Sequence, residues 1–299
     1  YIEHVNAILT IEDGIVVLNI KDLTLEDYEN FFIFCENVGF EESHLTYAKY
    51  KEYMHKFKIN NFEETEGIIE KQRMIKEPEE LENIKKACMI TDDCFDYLKT
   101  FIKVGMSEKQ VANEIEKFFM SNGADELAFD TIVASGKNSS MPHAVPTDKL
   151  IEPGDPITID MGCKVNGYCS DMTRTIFAGF VPQAIKPIYD FVLKTQIQVI
   201  ENLKEGSNVR SVSKMVDNNI KLNGFEVMHS LGHGVGLEIH EYPYFSNKTD
   251  FLLKENMVIT DEPGVYIQNK FGVRIEDTLL INKFSSTSLT KSDKNYVVI

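Results

Sequence analysis

The stretch Ile157-Thr-Ile-Asp160-Met-Gly162-Cys-Lys-Val-Asn166-Gly167-Tyr-Cys-Ser-Asp171-Met-Thr-Arg-Thr175 decides the architecture. Its centre, Asn166-Gly167, is the strongest short hairpin signal, because both central residues of a type I′ turn need positive φ, and such a turn sets the register of its strands. Counting outward predicts Val165 opposite Tyr168, Lys164 opposite Cys169, Cys163 opposite Ser170, Gly162 opposite Asp171 and Asp160 opposite Thr173. Opposed residues share a face, as do residues two apart along a strand. Asp160 and Asp171 therefore become diagonal neighbours on one side of the ribbon, and Gly162 is expected to leave open space beside Asp171. Carboxylates held that close repel, and one takes a proton unless a cation sits between them. The register asks for a metal.

A second pair of runs, Met257 to Ile267 and Gly272 to Ile281, is apolar and β-branched, with polar turn residues Gln268, Asn269 and Lys270 between. A three-residue loop pairs Ile267 with Phe271 and sets Glu262 directly opposite Glu276, a register that a bulge would spoil. Between the hairpins lies Leu231-Gly-His233-Gly-Val-Gly236. Together Asp160, Asp171, His233, Glu262 and Glu276 offer four carboxylates and one imidazole, enough oxygen and nitrogen donors for two divalent ions sharing a water. With 47 acidic residues among 299, most carboxylates are solvated surface charges, and any one of these acids alone says little. Acidic side chains are depleted in strands, however, and Asp160 and Glu276 interrupt apolar runs, so two hairpins carrying the same device point to function.

A chain of this length holds one large or two ordinary domains, and 43% hydrophobic residues is normal for a globular protein. No segment is long and apolar enough to span a bilayer. A formal charge of −16 argues against a nucleic-acid partner, since phosphate binding needs a basic surface. Cysteines at 35, 88, 94, 163 and 169 form neither a metal-ligand nor a disulfide framework, and Cys163 and Cys169 should fall on opposite faces of the first hairpin. The expectation is a reduced, cytoplasmic protein. Because the chain opens at Tyr1, an upstream segment is expected to be missing, and a targeting signal there stays open.

Residues 1 to about 68 alternate strand and helix signals: an apolar run at 14–20, helical periodicity over 25–35, and another helical stretch after Ser43. A charged joint, Lys71 to Glu80, leads to a helix with Leu81, Ile84, Cys88, Thr91, Phe95, Leu98 and Ile102 on one face, ended by Gly105. Ser107 and Gln110 make a capping box for the next helix, which stops at Asn122-Gly123. About a hundred residues on the pattern returns, with a helix from about Pro187 to Leu203 that ends at Gly206, and a second, bearing Val209, Val212, Val216 and Ile220, closed by Asn223-Gly224. Each helix pair precedes a β-rich segment with histidine (His143; then His229, His233 and His240) and an acid-bearing hairpin. This is an internal duplication of structure, although helix pairs and hairpins recur in any α+β protein.

From about residue 77 onward the chain resembles the pita-bread metallopeptidases, most closely the Xaa-Pro peptidases, aminopeptidase P and prolidase. The resemblance rests on Pro142-His143-Ala-Val-Pro146, Ile159-Asp160, Ser170-Asp171-Met-Thr-Arg-Thr175, His229, Gly232-His233-Gly-Val-Gly236, His240-Glu241, Glu262-Pro-Gly264 and Val273-Arg-Ile-Glu-Asp277. It implies an α+β pita-bread catalytic domain with pseudo-twofold duplication over residues 71–299, preceded by a partial α/β amino-terminal domain at 1–70 that Tyr1 enters midway. It also implies two divalent ions, manganese first, then cobalt or zinc. Asp171 and Glu276 bridge them, Asp160 serves one, and His233 and Glu262 serve the other. In that family water shared by two cations is acidic enough to act as nucleophile near neutral pH. By the same resemblance Glu262 manages the water's proton, His143 shuttles a proton, and His229 and His240 contact substrate and steady the oxyanion. Arg274 orients Asp160 or a product carboxylate, and Tyr266 joins the histidines around the substrate. Proline-containing peptides and a homodimeric partner follow, with no nucleic acid and no membrane. A methionine aminopeptidase shares fold and ligands, but Val273 to Asp277 and the partial leading domain favour the Xaa-Pro group. A non-catalytic pita-bread module should have lost ligands or histidines, and here all are present.

Overall fold

The computed structural model describes residues 37–57, 59 and 61–299, with Thr24 and Glu26. The apolar run at 14–20, the helical pattern at 25–35 apart from Glu26, and Cys35 lie outside the described residues. Residues up to Ile69 and residues from Glu70 form two compact units. In the first, β1 (Val38–Glu41) and β2 (Phe62–Thr65) pair in parallel on either side of α1 (Tyr47–Lys56). That helix answers the periodicity after Ser43, and Thr46 caps it. Tyr50 of the helix stacks on Phe62, and Phe40 packs tilted against both rings.

A short helix, α2 (Ile68–Arg73), runs into the charged joint, and the sequence carries no capping signal for it. The long helix α3 (Pro78–Phe101) starts at a Glu77/Glu80 capping box with Pro78 in the first turn. It stops at Phe101, short of Gly105, which instead turns the chain with φ of 90°. Helix α4 (Glu108–Ser121) has the Ser107/Gln110 box and stops at Asn122, as its sequence predicts. Then come β3 (Glu126–Leu127), β4 (Ile132–Ser135), a 3-10 turn at Gly136–Ser140, and β5 (Pro156–Met161), β6 (Cys163–Val165), β7 (Tyr168–Cys169) and β8 (Met172–Phe177). The order repeats with α5 (Lys186–Asn202), α6 (Val209–Leu222), β9 (Gly232–Gly234), β10 (Glu241–Phe245), β11 (Val258–Asp261), β12 (Gly264–Ile267), β13 (Phe271–Arg274), β14 (Asp277–Ile281) and a short β15 (Ser286–Ser288).

Each half has its own core. In the first, Phe95, Leu98, Val111, Ile115 and Phe119 of the helix pair pack on Ile157, Ile159 and Ile176 of the sheet β4-β5-β8. In the second, Val199, Val209, Val216 and Ile220 pack on Phe245, Ile259, Leu279 and Ile281 of the sheet β10-β9-β11-β14-β15. The repetition read from spacing is therefore present in packing. Among the described residues no helix is long and apolar enough to cross a membrane. The described cysteines, Cys88, Cys94, Cys163 and Cys169, are free and buried.

Both hairpins have the predicted register. Asn166 and Gly167 have φ of 50° and 81°, Val165 faces Tyr168, Lys164 faces Cys169, and Asp160 faces Thr173. The space beside Asp171 is not open, however. A Cβ at Gly162 would lie 2.0 Å from the Ser170 carbonyl oxygen and 2.8 Å from the Phe129 ring, so glycine is needed there for close approach of the strands. In the second hairpin Ile267 faces Phe271, Gly264 faces Arg274, and the same register resumes at Asp261 with Asp277. The two ladders share one register, which sets Glu262 opposite Glu276 in the gap between them. Each ladder breaks where its acids sit: β5·β8 gives way to β6·β7 at Gly162 and Asp171, and β11·β14 gives way to β12·β13 at Glu262 and Glu276.

The hairpins are zipped together. The Glu276 N–H donates to Thr173 O at 3.1 Å, and Thr278 Oγ1 donates to Asp171 O at 2.7 Å. Thr175 Oγ1 accepts from Arg274 N at 3.1 Å and donates to Arg274 O at 2.9 Å. Buried Arg174 donates to the carbonyls of Thr173, Glu276 and Ser292, and to Asp277 Oδ1 at 2.7 Å. Asp277 also receives Gln196, Thr290 and Lys294. Truncating one member of a buried ion pair costs about 3–5 kcal/mol because its partner keeps its charge. Arg174→Met should lower the unfolding free energy by about that much in urea titration; a loss below about 1 kcal/mol would show that the pair holds nothing together.

Candidate metal centre

Asp171 and Glu276 belong to different hairpins, and the zipper brings their carboxylates together. With His233 on β9 they offer ligand atoms that all lie within 4.8 Å of one another, and all three side chains are buried. His233 Nε2 stands 3.5 Å from Asp171 Oδ2 and 3.7 Å from Glu262 Oε1. Its ring is held from behind, with Nδ1 donating to Gly234 O at 3.1 Å, which leaves Nε2 as the lone-pair nitrogen facing the acids. The His233 N–H donates to Thr260 Oγ1 at 3.0 Å. Gly232 and Gly234 bracket it because neighbouring strands leave no room for a Cβ: the nearest carbonyl oxygens would be 2.2 and 2.3 Å away.

Asp160 stands beside this trio rather than in it. Its Oδ2 accepts from Arg274 at 2.7 Å, and its buried Oδ1 has no hydrogen-bond partner. Of the two orientations expected for Arg274, the structure shows the one toward Asp160. Arg274 also donates through Nε to Thr173 Oγ1 at 3.0 Å, and Thr173 Oγ1 in turn donates to Glu276 Oε2 at 2.6 Å. Thr173, given no role by its sequence, thus orients one ligand candidate. Its only signal was a strand position sharing a face with Asp171.

The electrostatics are those of a site built for cations. Burial raises the Asp171 carboxyl well above the usual range, and Glu276 and Asp160 raise it further. Burial likewise lifts Glu276, with Glu262 adding to it. Glu262 is pushed up to about 8 by burial, against the pull of Arg274. His233 is pushed down to about 4 by burial and by nearby His240, so its ring is neutral, as a ligand must be. An orphaned buried carboxylate oxygen, crowded acids short of positive charge and a neutral imidazole fit divalent cations with oxygen and nitrogen preference.

The other histidines differ in setting. His143 is exposed on the loop after the 3-10 turn, and that loop is docked at the centre by Arg274, which donates to Pro142 O at 3.0 Å. His240 is exposed, with its ring 4.3 Å from the ring of His233 and edge-on to it. His229 has both nitrogens engaged: Nδ1 donates to Ser230 O at 2.8 Å, and Nε2 accepts from Tyr266 Oη at 2.9 Å. Tyr266 Oη accepts from Arg274 at 2.9 Å. Burial, with Arg274 adding to it, lowers His229 to about 4. Of the partners behind the hairpins, Gln196 and Lys294 carry no local motif, and Asp277 has none beyond its place after Glu276.

The chain matches the model of metallopeptidase family M24 over residues 82–283 and that of the creatinase/prolidase N-terminal domain over residues 6–75. An Xaa-Pro dipeptidase of Pyrococcus furiosus is 42% identical over 261 residues, which cover 87% of this chain and 75% of that protein. The solved Xaa-Pro dipeptidase from Bacillus anthracis superposes with a TM-score of 0.86 at 37% identity, over 91% of this chain and 79% of that one. An X-Pro aminopeptidase from Thermotoga maritima gives 0.86 at 32% identity, over 92% and 79%. The chain belongs to metallopeptidase family M24, and its fold is the pita-bread fold of that family.

The shifts set a pH window for the metal-free protein. An acid whose folded pKa is raised stabilises the fold below its unfolded value and loses that stability as pH rises through the folded one; a histidine whose pKa is lowered acts oppositely, between its folded value and about 6.5. Below about 6.5 the two effects oppose. From there to about 8 the raised Glu262 carboxyl is no longer opposed by His233. After exhaustive chelation, the melting temperature should fall between pH 6.5 and 8; a rise across that window would contradict the assignment.

Proposed function

We propose that the chain is a dinuclear metal-dependent Xaa-Pro exopeptidase, which hydrolyses the bond between an amino-terminal residue and a following proline. One observation carries the proposal: Asp171, His233 and Glu276 converge within 4.8 Å, with Glu262 and the orphaned oxygen of Asp160 beside them. The Xaa-Pro activity named for relatives about 40% identical supports the substrate class. Asp171 and Glu276 would bridge two ions, Asp160 would serve one, and His233 and Glu262 would serve the other. Loaded with two divalent ions, manganese by preference and cobalt or zinc as alternatives, the centre supplies Lewis acidity that makes water nucleophilic near neutral pH and polarises a carbonyl.

The chain's own residues do the rest. Glu262 takes the proton of the attacking water on its carboxylate. His143, on its docked loop, delivers a proton to the prolyl nitrogen as the bond to it breaks, so that proline leaves as a secondary amine. His240, exposed beside His233, steadies the oxyanion. His229 reaches substrate by giving up its bond to Tyr266, and Arg274 holds Asp160 and Tyr266 in place. A tertiary X-Pro amide lacks the N–H that most peptidases bind, and its ring needs a dedicated slot, which Tyr266 helps to wall. The free amino terminus is drawn by the acidic centre. The same proposal takes residues 1–70 as part of an amino-terminal domain and 71–299 as the catalytic domain, with the active form a cytoplasmic homodimer.

Bridging carboxylates are useful only between two charges, so Asp171→Asn should lower metal content and turnover together, and activity should saturate at two ions per chain. Full activity at one ion would sink the dinuclear assignment. Xaa-Pro dipeptides and Xaa-Pro-Xaa tripeptides should be cleaved in preference to Met-Ala-Xaa peptides, and amino-terminal acetylation should slow cleavage strongly. Preference for the methionine peptide would move the chain to the methionine aminopeptidase branch, and metal binding without any hydrolysis would mark a non-catalytic module.

A further inference from the structure

Glu108 opens helix α4, far in sequence from every residue assigned above, yet it is fully buried and both its oxygens are saturated. Oε1 accepts from Ser135 N at 2.6 Å and from Ser135 Oγ at 2.9 Å. Oε2 accepts from Thr147 N at 3.0 Å and from Thr147 Oγ1 at 2.6 Å. Asn138 Nδ2 lies 3.1 Å from each oxygen. Ser135 and Thr147 are the two ends of the segment that carries His143. The helix start is strapped to the same segment, because Lys109 N donates to Thr147 O and Glu108 N to Lys149 O, both at 3.1 Å.

Between those ends the loop has little apolar anchorage: Ala144 is buried, but Met141, His143 and Val145 are exposed. Beyond hydrogen bonds within the loop and one from Lys149 Nζ to Ser135 Oγ at 3.0 Å, its pins come from the second hairpin, where Gly272 N donates to Ser139 Oγ at 2.9 Å and Arg274 reaches Pro142 O. With so few apolar contacts, polar pins must determine where the imidazole points. Two pins set the middle of the loop and one carboxylate closes its root.

We propose that Glu108 is the positioning residue that fixes the His143 loop, and through it the reach of the His143 imidazole to the leaving nitrogen. This rests on the proton-transfer role given to His143. The hydrogen-bond partners of Glu108, namely Ser135, Asn138 and Thr147, are not candidate metal ligands, so its effect passes through the loop and leaves the metal centre intact. Glu108→Gln is isosteric but turns one acceptor oxygen into a donor NH2 that faces Ser135 N–H or Thr147 N–H, and the root opens.

The test is a double-mutant cycle on the metal-loaded enzyme with an Xaa-Pro dipeptide, using Glu108→Gln, His143→Ala and both together. Glu108→Gln should lower kcat about 10- to 100-fold, the scale of a misplacement near 1 Å, with KM and bound metal changed by less than about threefold. In the His143→Ala background the same change should cost less than about threefold, because the group it positions is gone. Hydrogen exchange over 136–147 should accelerate while that of the helix 209–222 stays as it was. An undiminished loss in the His143→Ala background, or unchanged exchange over 136–147, would overturn the proposal. If His143→Ala alone retains full turnover, the role of His143 fails, and exchange over 136–147 still decides whether Glu108 anchors the loop. Should Glu108→Gln not fold, Thr147→Val removes one donor from the same carboxylate, and the same non-additivity and exchange shift are expected of it.

Discussion

The antiparallel zipper between residues 171–175 and 274–278 is the constraint on which the centre depends. Its bonds from Glu276 N to Thr173 O, between Thr175 and Arg274, and from Thr278 to Asp171 O leave no freedom to slide. Each hairpin alone would hold two acids on a solvated ribbon, where water screens them. Pressed together, they place their acids in a buried volume where Arg274 is the cation on hand. An uncompensated buried charge costs roughly several kcal/mol per ion, so the acids hold protons until cations take their place. The raised carboxyls of Asp171, Glu262 and Glu276 are that cost made visible.

Strand periodicity then sorts the acids onto two faces with opposite fates. Asp171, Glu262 and Glu276 look toward His233. One residue along, Asp261 and Asp277 face each other on the other side of the second hairpin. Burial works to raise the Asp277 carboxyl, but Arg174 and Lys294 hold it low. Both oxygens of Asp261 lack hydrogen bonds, and burial with Asp277 beside it drives it up against the weaker pull of Lys294. The two arginines divide the labour: Arg174 neutralises the back face and ties the hairpins, while Arg274 orients the front.

The same economy of pins governs the loops. The His143 loop is placed by a distant carboxylate at its root and by the second hairpin at its middle, so each half of the duplicated fold completes the site of the other. His233 sits on a strand hemmed in by glycines, where backbone closeness rather than side-chain packing sets the ring.

Much of this was legible in the chain itself, because hairpin register is local. The Asn166-Gly167 turn and the three-residue loop after Ile267 determine which residues face each other, and the ladders on either side of each break keep the counted register. Helix ends marked by Ser107 and by Asn122-Gly123 are local for the same reason. What the chain alone could not decide is contact between elements that lie apart along it. The crowding at Gly162 comes from Phe129 and the Ser170 carbonyl, the engagement of both His229 nitrogens comes from Tyr266 and a backbone turn, and the position of Asp160 comes from Arg274. Glu108 reads as an ordinary helix-start acid until Ser135 and Thr147 close around it. Turn chemistry and periodicity are written in neighbouring residues, whereas the contacts of Gly162 with Phe129, His229 with Tyr266, Asp160 with Arg274 and Glu108 with Ser135 and Thr147 join positions tens to more than a hundred residues apart and exist only once the chain has packed.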